Sequence, residues 1–306
     1  MIHCLLLRCL LPLLAVCCLP NLAYALHIVA TLPTLAALAK EVAGDNAQVD
    51  ALVSPGQDPH YADARPNLIV TLNQADVLVF NGLELEVGWL PALVRQARNP
   101  KIGMGAPGAI DASLFVHKLQ VPSSVDRSLG DIHPGGNPHY ALDPRAGAAV
   151  AEGIAQRLGQ LDPAHSAQYL ARAGALATRL RALAAEQAKL MAQLPAAQRQ
   201  LVAYHASLVY LLDWLGLREL ATLEPRPGIA PDPGQLAKVV GMMRASNVKV
   251  VALEAYYPQG SATQVARITG GKVVVLPGGV QFGQGQRYED CVRGMAVALR
   301  AGLTGQ

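Results

Sequence analysis

Residues 163–194 read PAHSAQYLARAGALATRLRALAAEQAKLMAQL, and this stretch decides how the chain is organised. Between Pro163 and Pro195 its only glycine is Gly174. Its leucines recur at spacings of three, four and seven: Leu176, Leu180, Leu183, Leu190 and Leu194. Such a stripe is typical of one long amphipathic helix, which at 1.5 Å per residue would extend roughly 45 Å. Proline suits a first turn and ends a helix, so the two prolines bound it.

Short β-rich runs alternate with helical patterns on both sides of this helix. Strands are predicted at 26–31, 49–53, 76–80, 200–204, 217–223, 248–253 and 272–276. Helices are predicted at 33–43, 144–158 and 233–245, with further helices between or after the strands. This alternation is typical of parallel sheets that are covered by helices.

The sequence therefore predicts an α/β protein with two α/β domains, each built on a parallel central sheet, joined by one long α-helix. We expect the N-terminal domain to cover 26–160, the linking helix 161–195 and the C-terminal domain 196–306. Residues 1–25 are set apart as a signal peptide.

The N-terminal segment has the layout of a secretory signal. Arg8 precedes an apolar run at 9–19, and Ala23-Tyr24-Ala25 follows as a small-x-small cleavage motif. We expect cleavage after Ala25 and export to the periplasm. The run is shorter than the roughly 20 residues of a spanning helix. A lipoprotein signal is the alternative, although Val16 stands before Cys17 where a lipobox prefers a small residue.

Composition narrows the class of protein further. Hydrophobic residues make up 52% of the chain and charged residues 15%, which suits a large buried core. The net charge is +3, with basic residues scattered, so no nucleic-acid partner is expected. Cleavage would leave Cys291 as the only cysteine, which excludes a disulfide framework and a thiolate-rich metal site.

Two histidines share a Pro-constrained context. His60 lies in DPHY (58–61) and His139 in NPHY (137–140). Proline fixes its own φ and restricts the residue before it, so each imidazole starts from a stiff backbone. A metal ligand benefits because it loses less freedom on binding. Asp58 and Asn137 are predicted to accept a hydrogen bond from the adjacent imidazole.

A third histidine, His205, follows the predicted strand at 200–204. In parallel α/β sheets, ligands bind beyond the carboxyl ends of the strands. Because His60 and His139 belong to the first domain, the three imidazoles can meet only in the cleft between domains. Neutral imidazole is a good zinc ligand, and three of them leave a fourth position open.

Around these histidines the chain resembles the zinc and manganese solute-binding proteins of ABC metal transporters. The resemblance covers essentially the whole mature chain. It rests on the long helix and on DPH (58–60), GDIHPGGNPHY (130–140), LDP (142–144), YH (204–205) and EPRPGI (224–229). It implies that His60, His139 and His205 bind the ion. In that family the third ligand is His in many zinc binders and Glu in some manganese binders, so His205 favours Zn²⁺ over Mn²⁺.

The same resemblance implies what happens to the ion. It would be transported cargo, handed in the periplasm to an inner-membrane ABC permease powered by an ATPase. The family's rigid linking helix implies limited domain movement, and the glycine-poor helix at 163–194 agrees with that. We expect a monomer.

One departure from the family concerns the fourth ligand. The family usually has an Asp just after the last strand, whereas this chain has LPGGV (276–280) there. Glu254, at the end of the neighbouring strand, is a candidate fourth ligand, with a local structural role as the alternative. Water is the other candidate, whereas Asp290 lies too far into the final helix.

The loop at 106–136 is the second departure. Some zinc binders of this type carry a long His-rich loop there. This one holds only His117 and His133, with Asp126 and Asp131. It is either a weak capturing site or a solvated loop. His27 and His165 are predicted to be structural or exposed.

Two other functions compete with a metal carrier. Three histidines with an open position also suit a zinc hydrolase that uses metal-bound water as its nucleophile. That enzyme would need a general base and a substrate pocket, and the chain has no HExxH, GxSxG or Walker motif. A receptor for a non-metal solute would instead need aromatic or charged groups along the cleft.

Overall fold

The computed structural model describes residues 25–124, 133–226 and 228–305. The predicted signal peptide up to residue 24 lies outside the described residues, as do Asp126 and Asp131 of the loop. Two four-stranded parallel sheets form the framework.

The first sheet has the strand order β2-β1-β3-β4. Its strands are β1 (Leu26–Ala30), β2 (Ala47–Ala51), β3 (Val77–Phe80) and β4 (Ala109–Asp111). Its helices are α1 (Pro33–Ala43), α2 (Pro66–Gln74) and α3 (Leu90–Ala97). In the centre of the sheet Ile28 pairs with Val49 on one side and Val77 on the other. All strands run in one direction, so their carboxyl ends share one edge.

Two long helices follow, α4 (Pro144–Leu161) and α5 (Ser166–Met191), with a 3-10 turn at Pro163–His165 between them. Helix α5 has 26 residues, which corresponds to about 39 Å. It is shorter at both ends than predicted, because the turn takes its first residues and the helix ends at Met191. Leu176, Leu180 and Leu183 are buried as the stripe predicts.

The second sheet has the order β6-β5-β7-β8. Its strands are β5 (Gln200–Ala203), β6 (Arg218–Thr222), β7 (Val250–Glu254) and β8 (Lys272–Leu276). Its helices are α6 (Val209–Leu215), α7 (Pro233–Ala245), α8 (Gly260–Thr269) and α9 (Tyr288–Thr304). The pairing is again parallel throughout.

Three hydrophobic clusters hold these layers together. The largest one joins the inner faces of both sheets to α1, α4, α5, α6 and α9. Smaller clusters cover the outer faces, with α2 and α3 on the first sheet and α7 and α8 on the second. The linking helix therefore lies within a core that both sheets share, and Tyr169, Ala177 and Leu180 of this helix are fully buried.

The predicted fold class is confirmed, and the differences are local. The second strand lies at Ala47–Ala51, two residues earlier than predicted, although Leu52 and Val53 still donate backbone hydrogen bonds to Ala30 and Thr31. Helix α3 and the three-residue strand β4 were not predicted. Within the described residues, no helix combines the length and apolar character that crossing a bilayer requires.

Candidate metal centre

Each of the three predicted histidine ligands lies beyond the carboxyl end of a strand. His60 follows β2, in a 3-10 turn at Pro59–Tyr61. His139 lies on the long connection between β4 and α4, and His205 lies two residues after the end of β5. Since both sheets are parallel, these ends converge at the cleft between the two units.

The three imidazoles form one compact cluster. The ring centroids of His60 and His139 are 5.1 Å apart, and each lies 5.5 Å from that of His205. One nitrogen from each ring lies within 4.8 Å of the other two. His139 and His205 are 8% and 6% exposed, and the side chain of His60 is 8% exposed. The cluster is therefore shielded from solvent on most sides.

Asp58 orients His60. The Nδ1 atom of His60 lies 2.8 Å from Oδ1 of Asp58, which also accepts the backbone N–H of His60 at 3.0 Å. Burial alone would raise the pKa of Asp58, but its hydrogen bonds to His60 and the charge of that ring lower it. An ionised carboxylate only accepts, so Nδ1 of His60 is the donor in this pair, and Nε2 is the nitrogen left to face the cluster. Nε2 is buried and makes no hydrogen bond within the described part of the chain.

Glu224 orients His205 in the same way. Their Nδ1 and Oε2 atoms are 2.7 Å apart, and Oε2 also accepts the backbone N–H of Gly228 at 3.1 Å. Burial opposes protonation of His205, but the hydrogen bond and charge of Glu224 outweigh it and raise the pKa of His205. The ring of Tyr257 lies against His205, with centroids 5.7 Å apart. Sequence reasoning did not assign this role to Glu224.

His139 is held by its backbone. The side-chain oxygen of Asn137 accepts the backbone N–H of His139 at 3.0 Å, and not the imidazole N–H that the sequence predicts as its donor. The amide nitrogen of Asn137 donates to the carbonyl of Ala206 at 2.7 Å and so ties this loop to the residue after His205. Burial and then the neighbouring charges of His60, His205 and His133 lower the pKa of His139. A neutral imidazole with a free lone pair is the form that binds metals.

Glu254 is the last residue of β7 and is 2% exposed. Its carboxylate oxygens are buried without a hydrogen bond of good geometry to any described group. Burial raises the pKa of Glu254, against smaller opposing effects of Ser207 and His205. Its oxygens are not among the ligand atoms within 4.8 Å of one another, which come from the three histidines alone in the described ranges. Glu254 lines a cavity together with His139 and Gly278.

The segment after β8, where the family acid is missing, is sterically closed at Gly278. A Cβ there would lie 2.3 Å from the carbonyl oxygen of Pro55 and 2.6 Å from Cδ1 of Tyr256. Pro55 belongs to the first unit and Gly278 to the second, so their backbones meet across the cleft. No acidic side chain fits at this residue without moving one unit.

The remaining histidines divide into two groups. The ring of His133 lies 5.5 Å from that of His60, beside the cluster. His117, in the same loop, is exposed. His27 and His165 pair with Asp50 and Asp162 respectively, both at 2.7 Å, as expected for structural residues.

Comparison with known proteins places the chain in context. Residues 28–302 match the family model described as zinc-uptake complex component A, periplasmic. Iron-binding protein YfeA of Yersinia pestis is 27% identical over 243 residues, which are 79% of this chain and 74% of YfeA.

Solved structures agree on the fold. A crystal structure of ZnuA aligns with a TM-score of 0.77 and 22% identity, covering 91% of this chain and 99% of that one. FpvC of P. aeruginosa, in complex with a Ni²⁺ ion, aligns with a TM-score of 0.74 and 28% identity, covering 92% and 98%.

Proposed function

The chain belongs to the family of zinc-uptake complex component A proteins, and we propose that it binds one divalent transition metal ion through His60, His139 and His205. The ion is cargo, and zinc is the leading candidate. The observation that carries the proposal is the convergence of three nearly buried imidazoles from two α/β units, with one nitrogen of each within 4.8 Å of the others. Nitrogen ligands around a tetrahedral zinc ion lie roughly 3.4 Å apart, so modest side-chain movements would bring these three nitrogens to the distances that zinc requires.

The hydrogen bonds around the rings support this assignment. Asp58 and Glu224 engage Nδ1 of His60 and His205, which leaves Nε2 of each ring for the ion. Carboxylates behind ligating histidines fix the tautomer and raise ligand basicity. The buried Nε2 atoms of His60 and His139 lack hydrogen bonds within the described residues, a costly arrangement unless a ligand satisfies them.

The donor set favours zinc over manganese. Imidazole suits zinc, copper, iron and nickel, whereas manganese prefers carboxylate and other oxygen ligands. Mn²⁺ remains the alternative cargo, because the general affinity ranking of divalent ions does not fix which one is carried.

The fourth position has two candidates from the sequence, Glu254 and water. Glu254 lies near the cluster but outside it, and burial keeps its pKa raised. The variant Glu254→Gln distinguishes the two candidates. Clearly weaker zinc binding would identify Glu254 as a ligand, and equal affinity would favour another group.

Delivery follows from family membership. We propose that the protein is exported, loses residues 1–25 and works as a monomer. It would then pass the ion to an ABC permease and its ATPase. Mass spectrometry of the protein purified from periplasm tests cleavage after Ala25, and light scattering tests the monomer. Family membership favours carriage over hydrolysis or a non-metal solute.

The central test is metal analysis and competition titration with a chelator for the mature protein. His205→Ala should abolish tight zinc binding while the circular dichroism spectrum stays the same. His165→Ala is the matched control, since that ring also pairs with an acid but lies far from the cluster in sequence and fold. Unchanged zinc affinity in His205→Ala would refute the proposed site.

A further inference from the structure

A fourth histidine lies against the cluster. The ring centroids of His133 and His60 are 5.5 Å apart, the same separation as between His60 and His205. The two rings are tilted by 36°, so they are not stacked face to face. His133 is half-buried, whereas His117 of the same loop is exposed. The loop therefore turns one of its two histidines toward the site.

The backbone holds His133 in this position. Its carbonyl accepts the N–H of Gly136 at 3.1 Å, which closes a turn around Pro134. Gly136 has a φ of +111°, and a Cβ there would lie 3.0 Å from the carbonyl oxygen of Leu119. Only glycine adopts this conformation readily. The turn thus connects His133 to His139 by a short, constrained segment. The nitrogens of His133 are not among the ligand atoms that lie within 4.8 Å of one another, so this ring must move toward the other three to share their ion.

Within the described part of the chain, the ligand atoms that lie within 4.8 Å of one another come from three histidines, and no carboxylate belongs to that set. Gly278 has no room for a side chain. Glu254 lines the cavity on the side of His139, whereas His60 lines a different cavity together with His205 and Glu224. His133 lies beside His60. A fourth nitrogen from that direction would complete the four-coordinate shell that protein-bound zinc usually has.

We propose that His133 is a ligand of the metal centre and gives it four imidazoles in place of three imidazoles and an acid. This inference rests on the proposed function, because it concerns the same ion. Its consequence is selectivity: replacing a carboxylate by imidazole favours zinc, nickel and copper over manganese. His133 would then be a specificity-determining residue of the carrier.

X-ray absorption of the zinc-loaded, full mature protein tests this directly. The wild type should show four imidazoles around zinc, and His133→Ala should show three. Chelator competition should give a zinc affinity lower by about tenfold or more, with a smaller loss for manganese. His117→Ala is the matched control and should leave both the imidazole count and the affinity as in the wild type.

The outcomes separate this inference from the proposed function. If His133→Ala keeps the wild-type imidazole count and zinc affinity while His205→Ala loses binding, the carrier stands and the role of His133 is refuted. If His205→Ala also binds zinc normally, both fail. His133→Asn provides a second variant of similar size, and it should lose the same imidazole from the absorption spectrum.

Discussion

The Nδ1 atom of His205 lies 2.7 Å from Oε2 of Glu224, and their side chains are 7% and 9% exposed. The histidine follows β5 and the glutamate follows β6, its neighbour in the sheet. Parallel pairing thus places a ligand beside the acid that orients it. Glu224 is itself fixed by the backbone N–H of Gly228, so the ring has little freedom to turn.

Glu224→Gln should weaken zinc binding about 10- to 100-fold, the usual effect of losing the partner of a ligating histidine. The amide oxygen can still accept from Nδ1, but it no longer raises the basicity of the ring. Without zinc, the pKa of His205 should fall, because Glu224 is what raises it against burial. Chelator competition and an NMR titration of the histidines measure the two effects.

Glu219→Gln is the control for this change. Glu219 is half-buried and close enough for the charge of His205 to influence its pKa, yet no hydrogen bond to His205 is present. Glu219→Gln removes a nearby negative charge and leaves the hydrogen bond between Glu224 and His205 in place. If both variants weaken zinc binding equally, general electrostatics rather than the hydrogen bond is responsible.

Much of the fold was predictable because local chemistry fixes it. Pro33, Pro144 and Pro233 begin their helices where predicted, since proline has the φ of a first turn and no N–H to lose there. The three-residue strand β4 is too short to show a pattern. Helix α3 has only eight residues, one of them a proline, so it is too short to show a clear helical repeat of hydrophobic residues.

The candidate site was predictable only in part. The Pro-His context of His60 and His139 marks constrained backbone, and the strand end marks His205. Glu224 is 19 residues from His205, and linking them requires the order of β5 and β6, which hydrophobic patterns do not reveal. The approach of His133 to His60 depends on the path of a loop, so no local signal predicts it.

Gly278→Ala should destabilise the protein by about 1–3 kcal/mol, the usual cost of overpacking. A Cβ would lie 2.3 Å from the Pro55 carbonyl oxygen, and backbone atoms cannot step aside as a flexible side chain can. Urea denaturation measures the loss. Gly279→Ala is the adjacent control, because its Cβ would lie 3.6 Å from Pro55 in ordinary contact. Equal midpoints for both variants would contradict the close approach across the cleft.

Glu86 should make the metal-free protein less stable as the pH rises toward neutrality. It is 3% exposed and accepts from Thr31, Asn81 and Gly82. Burial raises the pKa of Glu86 from 4.5 to about 7. Between these values the folded state holds a proton that the unfolded state has released, so unfolding free energy falls by up to about 3 kcal/mol.

Denaturation of wild type and Glu86→Gln, both with chelator present, tests this dependence at pH 4.5 and pH 7.5. The neutral glutamine has no proton to lose, so the variant should show a flatter profile than the wild type over this interval. Parallel profiles would mean that Glu86 titrates near its ordinary value. The contribution is fully present below pH 4.5 and is lost as the pH passes 7.

Arg179 of α5 joins three elements at once. It donates to Glu41 on α1 and to Glu289 on α9, the latter at 3.0 Å, so one side chain connects both units to the linking helix. Burial raises the pKa of Glu41, which Arg179 opposes. Arg179→Gln should therefore lower the free energy of unfolding by about 1 kcal/mol, at the upper end for partly exposed pairs, and this loss should shrink in high salt.

Arg181 is the control on the same helix: its pair with Glu152 is more exposed, with side-chain exposures of 55% and 38%. Arg181→Gln should change the urea midpoint less than Arg179→Gln at low salt. If the two variants lose the same stability at every salt concentration, Arg179 acts as an ordinary surface charge and does not join the two units.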